Sequence, residues 1–226
     1  MRTLRLARIG WLALVAAAGA RGQKQEIAVG HQSTQPADRV RVCVNSNGYE
    51  LNPASAVVLA RAEDLASRML ATAGVALEWR PAGAGACRKG ERARTIMLDF
   101  ATGTPATQNP GALAYALPYE RIHIVVLLDR VRKKAADTAQ IAAVLAHVMA
   151  HEVTHILQGT ARHSESGVMK AQWDAQDFQR MASKPLPFGP LDVVLIRNGL
   201  HPPASAATSA APEAGTAAAA QLRPSL

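Results

Sequence analysis

The segment DTAQIAAVLAHVMAHEVTHILQG, residues 137–159, constrains this 226-residue chain more than any other. Its apolar residues Ile141, Val144, Leu145, Val148, Ile156 and Leu157 recur at helical spacing. They predict a long helix from about Asp137 through Leu157, with Gly159 just beyond it as a stop. Inside that apolar frame stand His151, Glu152 and His155, in the pattern HExxH. Histidines four apart project from one face of a helix, about one turn or ~6 Å apart along the axis. Two imidazole nitrogens so placed can converge on one zinc ion at Zn–N distances of ~2.0–2.1 Å. Glu152 points roughly 100° away around the helix, beside the metal rather than on it. There it can take a proton from zinc-bound water, whose pKa the metal lowers to near 7, and later give it to a leaving amine.

The rest of the chain supplies elements around that helix. RVRVCVNS alternates, with Val40, Val42 and Val44 on one face, and reads as a strand. ASAVVLARAEDLASRMLATAG carries Val57, Leu59, Ala62, Leu65 and Leu70 at helical spacing and ends at Gly74. VALEWR, RTIMLDF, ALAYALP and RIHIVVLLDRV read as four further strands. Beyond the long helix, Asp174 caps a short helix, and Pro190 opens another that ends at Gly199. The order β-α-β-β-β-β-α followed by a smaller, mostly helical part implies an α+β fold. From residue 201 onward Ala, Pro, Ser and Thr dominate, a composition that cannot bury enough surface to order itself. Residues 201–226 are therefore expected as a disordered tail, and 21–38 as a flexible leader.

The N-terminus fixes the compartment. Arg2, Arg5 and Arg8 precede an apolar run over residues 9–20, which closes on Ala18-Gly19-Ala20, the small-residue pattern of a signal cleavage site. The run is short for a membrane span, which needs ~20 residues. A removable signal over residues 1–20 and a secreted or periplasmic mature protein follow, without stable membrane insertion. Signal removal takes three arginines from a chain of net charge +8. The remaining Arg and Lys are scattered without aromatic interleaving, which speaks for solvated basic surface and against nucleic acid as partner. In an exported chain Cys43 and Cys87 pair as a disulfide more readily than they persist as free thiols.

A catalytic zinc takes three protein ligands and keeps one position open. Downstream of His155 the candidates for the third are His163, Glu165, Asp174 and Asp177. HEVTHILQGTARHSESGVM resembles the metzincin clan of zinc peptidases, whose signature is HExxHxxGxxH followed by a methionine turn. HVMAHEVTHILQG, RHSESGVM and AQW also resemble a set of exported bacterial proteins of unassigned activity. The strong resemblance covers residues 147–173. It implies one catalytic zinc on His151, His155 and His163, with Glu152 as general base. It implies Gly159 as the residue where the chain leaves the helix, and Met169 as the turn methionine supporting the metal site. For the fold it implies a zincin-like catalytic domain over residues 39–200, with a mixed twisted sheet, a backing helix and an active-site helix. The spacing departs from the signature: three residues separate His155 from Gly159, and three more separate Gly159 from His163, where the clan has two and two. A non-helical loop absorbs such lengthening at little entropic cost.

Four further residues carry a bland reading. His147 sits one turn before His151 and reads as packed or outer-sphere, and His123 as a strand histidine. Tyr115 and Tyr119 read as strand-edge tyrosines rather than oxyanion donors. The function expected from these observations is an exported zinc-dependent endopeptidase acting on a peptide or protein substrate. Its edge strand ALAYALP would pair with an extended peptide. The alternatives are a catalytically silent zinc-binding protein and a basic cell-envelope interaction protein.

Overall fold

Val40, Val42 and Val44 are all buried, and they anchor β1 (Asp38–Asn45) near the middle of a five-stranded sheet. A computed structural model describes residues 37–49, 52–87, 94–101, 103, 111–116 and 122–202. All belong to the unit Pro36–Leu226. The expected signal segment, nearly all of the leader, most of the tail and Tyr119 lie outside the described residues.

β1 pairs in parallel with β2 (Val75–Pro81) on one side and β3 (Arg94–Ala101) on the other. β5 (His123–Leu127) extends the parallel set beside β3, and β4 (Ala114–Ala116) joins it antiparallel, so the order is β2-β1-β3-β5-β4. The connection from β1 to β2 runs through α1 (Pro53–Ala71), started by Asn52, whose side chain accepts the Ser55 N–H at 2.9 Å. The buried stripe of α1 comprises Val58, Leu59, Ala62, Ala66, Met69 and Leu70. Val57, expected on that face, is 49% exposed, because the stripe is centred one residue later.

The predicted long helix is α3 (Thr138–Gln158), capped by the Asp137 side chain and closed by Gly159 in the left-handed region at φ 66°. It packs on α1 and against β4 and β5. Every residue from 142 to 157 is buried. A helix enclosed on all sides is a core element, so its few polar groups must each find a partner.

Three features differ from the sequence expectation or were not visible in it. RIHIVVLLDRV is not one strand: β5 stops at Leu127, and Leu128–Lys133 forms a short helix, α2. Leu128 and Val131, three apart, both point into the core, while the Arg130 guanidinium turns back to donate to the Ala112 carbonyl at 2.7 Å. Beyond α4 (Ala175–Ser183), the last helix α5 (Pro190–Leu200) runs through Gly199 instead of stopping there. Gly199 is a contact residue: a Cβ on it would lie 1.8 Å from the Leu157 carbonyl oxygen, so α5 is seated on the C-terminal end of α3. Cys43, fully buried on β1, is disulfide-bonded to Cys87 across 44 residues of sequence. Among the described residues no helix is long and apolar enough to cross a membrane.

The seat of α5 makes a prediction of opposite sign to helix propensity. Alanine is the better helix former by about 1 kcal/mol. At residue 199 it would collide with backbone that cannot swing away, at a cost of about 1–3 kcal/mol. Gly199→Ala should therefore lower the thermal unfolding midpoint, and a raised midpoint would mean that α5 does not rest on Leu157.

Candidate metal centre

Thr154 and His147 on α3 are satisfied by protein partners, whereas His151 and His155 each leave one ring nitrogen over. The Thr154 hydroxyl donates to the Ala150 carbonyl at 2.8 Å. His147 Nδ1 donates to the Ala143 carbonyl at 2.7 Å, and its Nε2 accepts the Leu186 N–H at 3.0 Å. Both ring nitrogens of His147 are thereby occupied, and its role is to tie α3 to the segment before α5. His151 Nδ1 donates to the Val168 carbonyl at 2.8 Å, and His155 Nδ1 to the Thr160 carbonyl at 2.9 Å. Carbonyls only accept, so in both rings the proton is on Nδ1 and the lone pair on Nε2. These two Nε2 atoms face each other 3.0 Å apart.

Two lone pairs at that distance repel unless a cation lies between them. A proton does not serve at neutral pH: burial pushes His151 down to about 3 and His155 to about 4. Burial also lowers His163. The donor set fits zinc, since two nitrogens on one tetrahedral zinc stand about 3.3 Å apart. His163 comes to the same place from the loop after α3, its ring centroid 5.3 Å from that of His151 and 4.9 Å from that of His155. One ligand atom from each of the three imidazoles lies within 4.8 Å of the others. The longer loop therefore does bring His163 to the helical pair.

None of the alternative third ligands belongs to this cluster. Glu165 is exposed. Asp174 caps α4 and accepts from Lys170 Nζ at 2.7 Å, and Asp177 accepts from the same ammonium at 2.6 Å. His123 sits exposed at the start of β5, away from the cluster. Met169 is fully buried, and its carbonyl accepts the Ser164 N–H at 2.7 Å, which folds the loop back beside His163. Gly167 makes that turn at φ +77°, where a Cβ would meet the Pro187 carbonyl oxygen at 2.2 Å.

Glu152 and the three histidines line one cavity of about 420 Å³, together with Tyr115 and Trp173. The Trp173 ring stands edge-on to His151 at 5.5 Å, and its indole N–H donates to the Gly167 carbonyl at 3.2 Å. Burial pushes the Glu152 carboxyl up to about 8, against the Ala116 backbone N–H that donates to it from β4. A divalent cation at the imidazoles acts in the opposite sense and favours the carboxylate. Sequence reasoning missed four contributors: the Ala116 N–H, the carbonyls of Thr160 and Val168, and Asp192 on α5. Asp192 is fully buried and accepts from Arg162 and Ser164 on either side of His163. The first three are backbone groups without a residue signature, and Asp192 is remote in sequence.

The sequence matches no protein-family model and no curated protein. Among solved structures, the chain is similar to a zinc-dependent peptidase from Methanocorpusculum labreanum (strain Z). The two share 13% sequence identity at a TM-score of 0.48, over 70% of this chain and 99% of that one. The functional reading rests on the side chains just described.

Protonation gives the metal-free protein a defined pH profile. His147, His151 and His155 are held below their usual range, so between about 4 and 6.5 the unfolded chain binds more protons and stability falls as the pH drops. Burial raises Glu63 to about 7 and Glu152 to about 8, so the folded chain keeps protons that the unfolded chain loses, and stability falls as the pH rises toward 8. Urea unfolding in the presence of chelator should show maximum stability near about pH 6. A profile still rising from pH 6 to 8 would contradict the burial of these carboxyls.

Proposed function

We propose that the chain is an exported zinc-dependent peptidase of the endopeptidase type. The observation that supports this reading is the pair of facing Nε2 atoms on His151 and His155, 3.0 Å apart, with Glu152 in the same cavity. His163 completes a set of three protein ligands for one zinc and leaves a fourth position for chemistry. Zinc held there supplies Lewis acidity, polarising a carbonyl and acidifying water.

The chain's own residues do the rest. Glu152 takes the proton of the attacking water and returns it to the departing amine, which requires it to start as the carboxylate. The Ala116 N–H holds that carboxylate in place. β4 offers the substrate an edge: the Leu113 carbonyl accepts from Leu127 on β5, so by the period of two the backbone groups of Ala114 and Ala116 face outward. The Ala116 N–H is taken by Glu152, which among the described residues leaves the Ala114 N–H and carbonyl and the Ala116 carbonyl to pair with an extended peptide. Trp173 and Tyr115 wall the cavity and limit water around the scissile bond. Met169 supports the loop from the core side, and Gly159 lets the chain leave α3. Residues 39–200 are the catalytic unit. Export fits the Cys43–Cys87 bond, since disulfides persist in oxidising compartments.

The test combines metal analysis with a base-deleted variant. The purified chain should hold one zinc, and Glu152→Gln should keep it while peptide hydrolysis falls by about 10²–10⁴-fold. Zinc without hydrolysis of any peptide in a broad library would make this a silent zinc-binding protein. Hydrolysis untouched by Glu152→Gln would remove Glu152 from its assigned role.

A further inference from the structure

His163 is exposed and comes from a loop, whereas its two partners are fixed on a buried helix, so something outside that helix must hold it. Its two neighbours in sequence are gripped by one side chain. Asp192 Oδ1 accepts from Arg162 Nη1 at 3.0 Å and from Ser164 Oγ at 2.7 Å. Its Oδ2 accepts the Gly189 N–H at 3.0 Å, which fixes the carboxylate at the start of α5. Arg162 also donates to Ser164 Oγ at 3.1 Å, closing a triangle around the His163 backbone. The far end of the clamp is anchored to α3: Gln158 Nε2 donates to the Asp192 carbonyl at 3.3 Å, and Gly199 rests on Leu157. Asp192 is thus held on the same helix that carries His151 and His155. From this geometry we infer that Asp192 is the positioning residue of the third imidazole, placing His163 against the helical pair before metal arrives. The inference rests on reading the three histidines as a metal centre.

A ligand held in place beforehand loses less freedom on binding, and loss of such outer partners typically weakens metal binding 10–100-fold. The experiment measures zinc affinity of the full chain by competition with a chromophoric chelator, in the parent and in Asp192→Ala, His163→Ala and the double variant. Asp192→Ala should weaken zinc about 10–100-fold. On the His163→Ala background the same change should add less than about threefold, because its route to the metal is gone. Asp192→Asn, which keeps one acceptor oxygen, should restore part of the affinity, and Ser164→Ala should lose part of it. Ile196→Ala, a fully buried change on the same helix, controls for general loosening and should leave affinity within about threefold. With cobalt in place of zinc, the visible band of Asp192→Ala should shift toward that of His163→Ala. Parent-like affinity in Asp192→Ala, equal losses in both backgrounds, or the same loss in Ile196→Ala would overturn the inference while leaving the metal centre intact. A parent chain that binds no zinc would overturn the metal centre and this inference together.

Discussion

Two imidazole lone pairs that face each other inside a protein repel, and the site is organised around that repulsion. The helix carrying them is buried along its length, and the two rings meet solvent only through the cavity they line. The Val168 and Thr160 carbonyls, both outside the helix, fix the tautomers that create it. Burial keeps protons away from the gap at neutral pH. Such a pair of lone pairs favours a cation between them. Sheet, backing helix and C-terminal helices all pack on α3, and so all help to hold the two imidazoles face to face.

The two sides of the cavity divide the chemistry between them. From above, β4 supplies a strand edge and the Ala116 N–H that steadies Glu152. From below, the segment after α3 supplies His163, the Val168 carbonyl and the Trp173 ring. Glu152 is bonded to the Ala116 N–H of β4, while His163 belongs to the segment after α3. α3 itself carries Glu152 together with His151 and His155, so one rigid element sets the separation between the carboxyl and the helical imidazoles.

Local signals carried much of the sequence reading. The valines of β1 alternate, Asp174 starts α4, Gly159 ends α3, and the four-residue interval puts His151 beside His155, all within a window of a few residues. The failures are non-local or sit where the period changes. Leu128 continues an apolar run, and only the inward turn of Val131 shows that the strand has become a helix. Val57 is as apolar as Val58, and packing against the sheet decides which of them is buried. Asp192 lies 30 residues from Arg162 and 28 from Ser164, with no periodicity linking them, so nothing local marks it as a partner of the His163 loop. Gly199 reads as a stop because a contact with Leu157 cannot be seen in one dimension.

That long reach from α5 back to the loop also sets an order in time. A chain emerging from its N-terminus completes α3, and with it His151 and His155, well before Asp192 exists to hold the loop. The contacts closing the third corner span about thirty residues and form only once the last helix has docked on Leu157. The grip on the His163 loop is therefore completed only by the last helix, and a chain ending between His163 and Asp192 has all three histidines without that clamp. A chain still being synthesised thus lacks the side chain that sets the third imidazole.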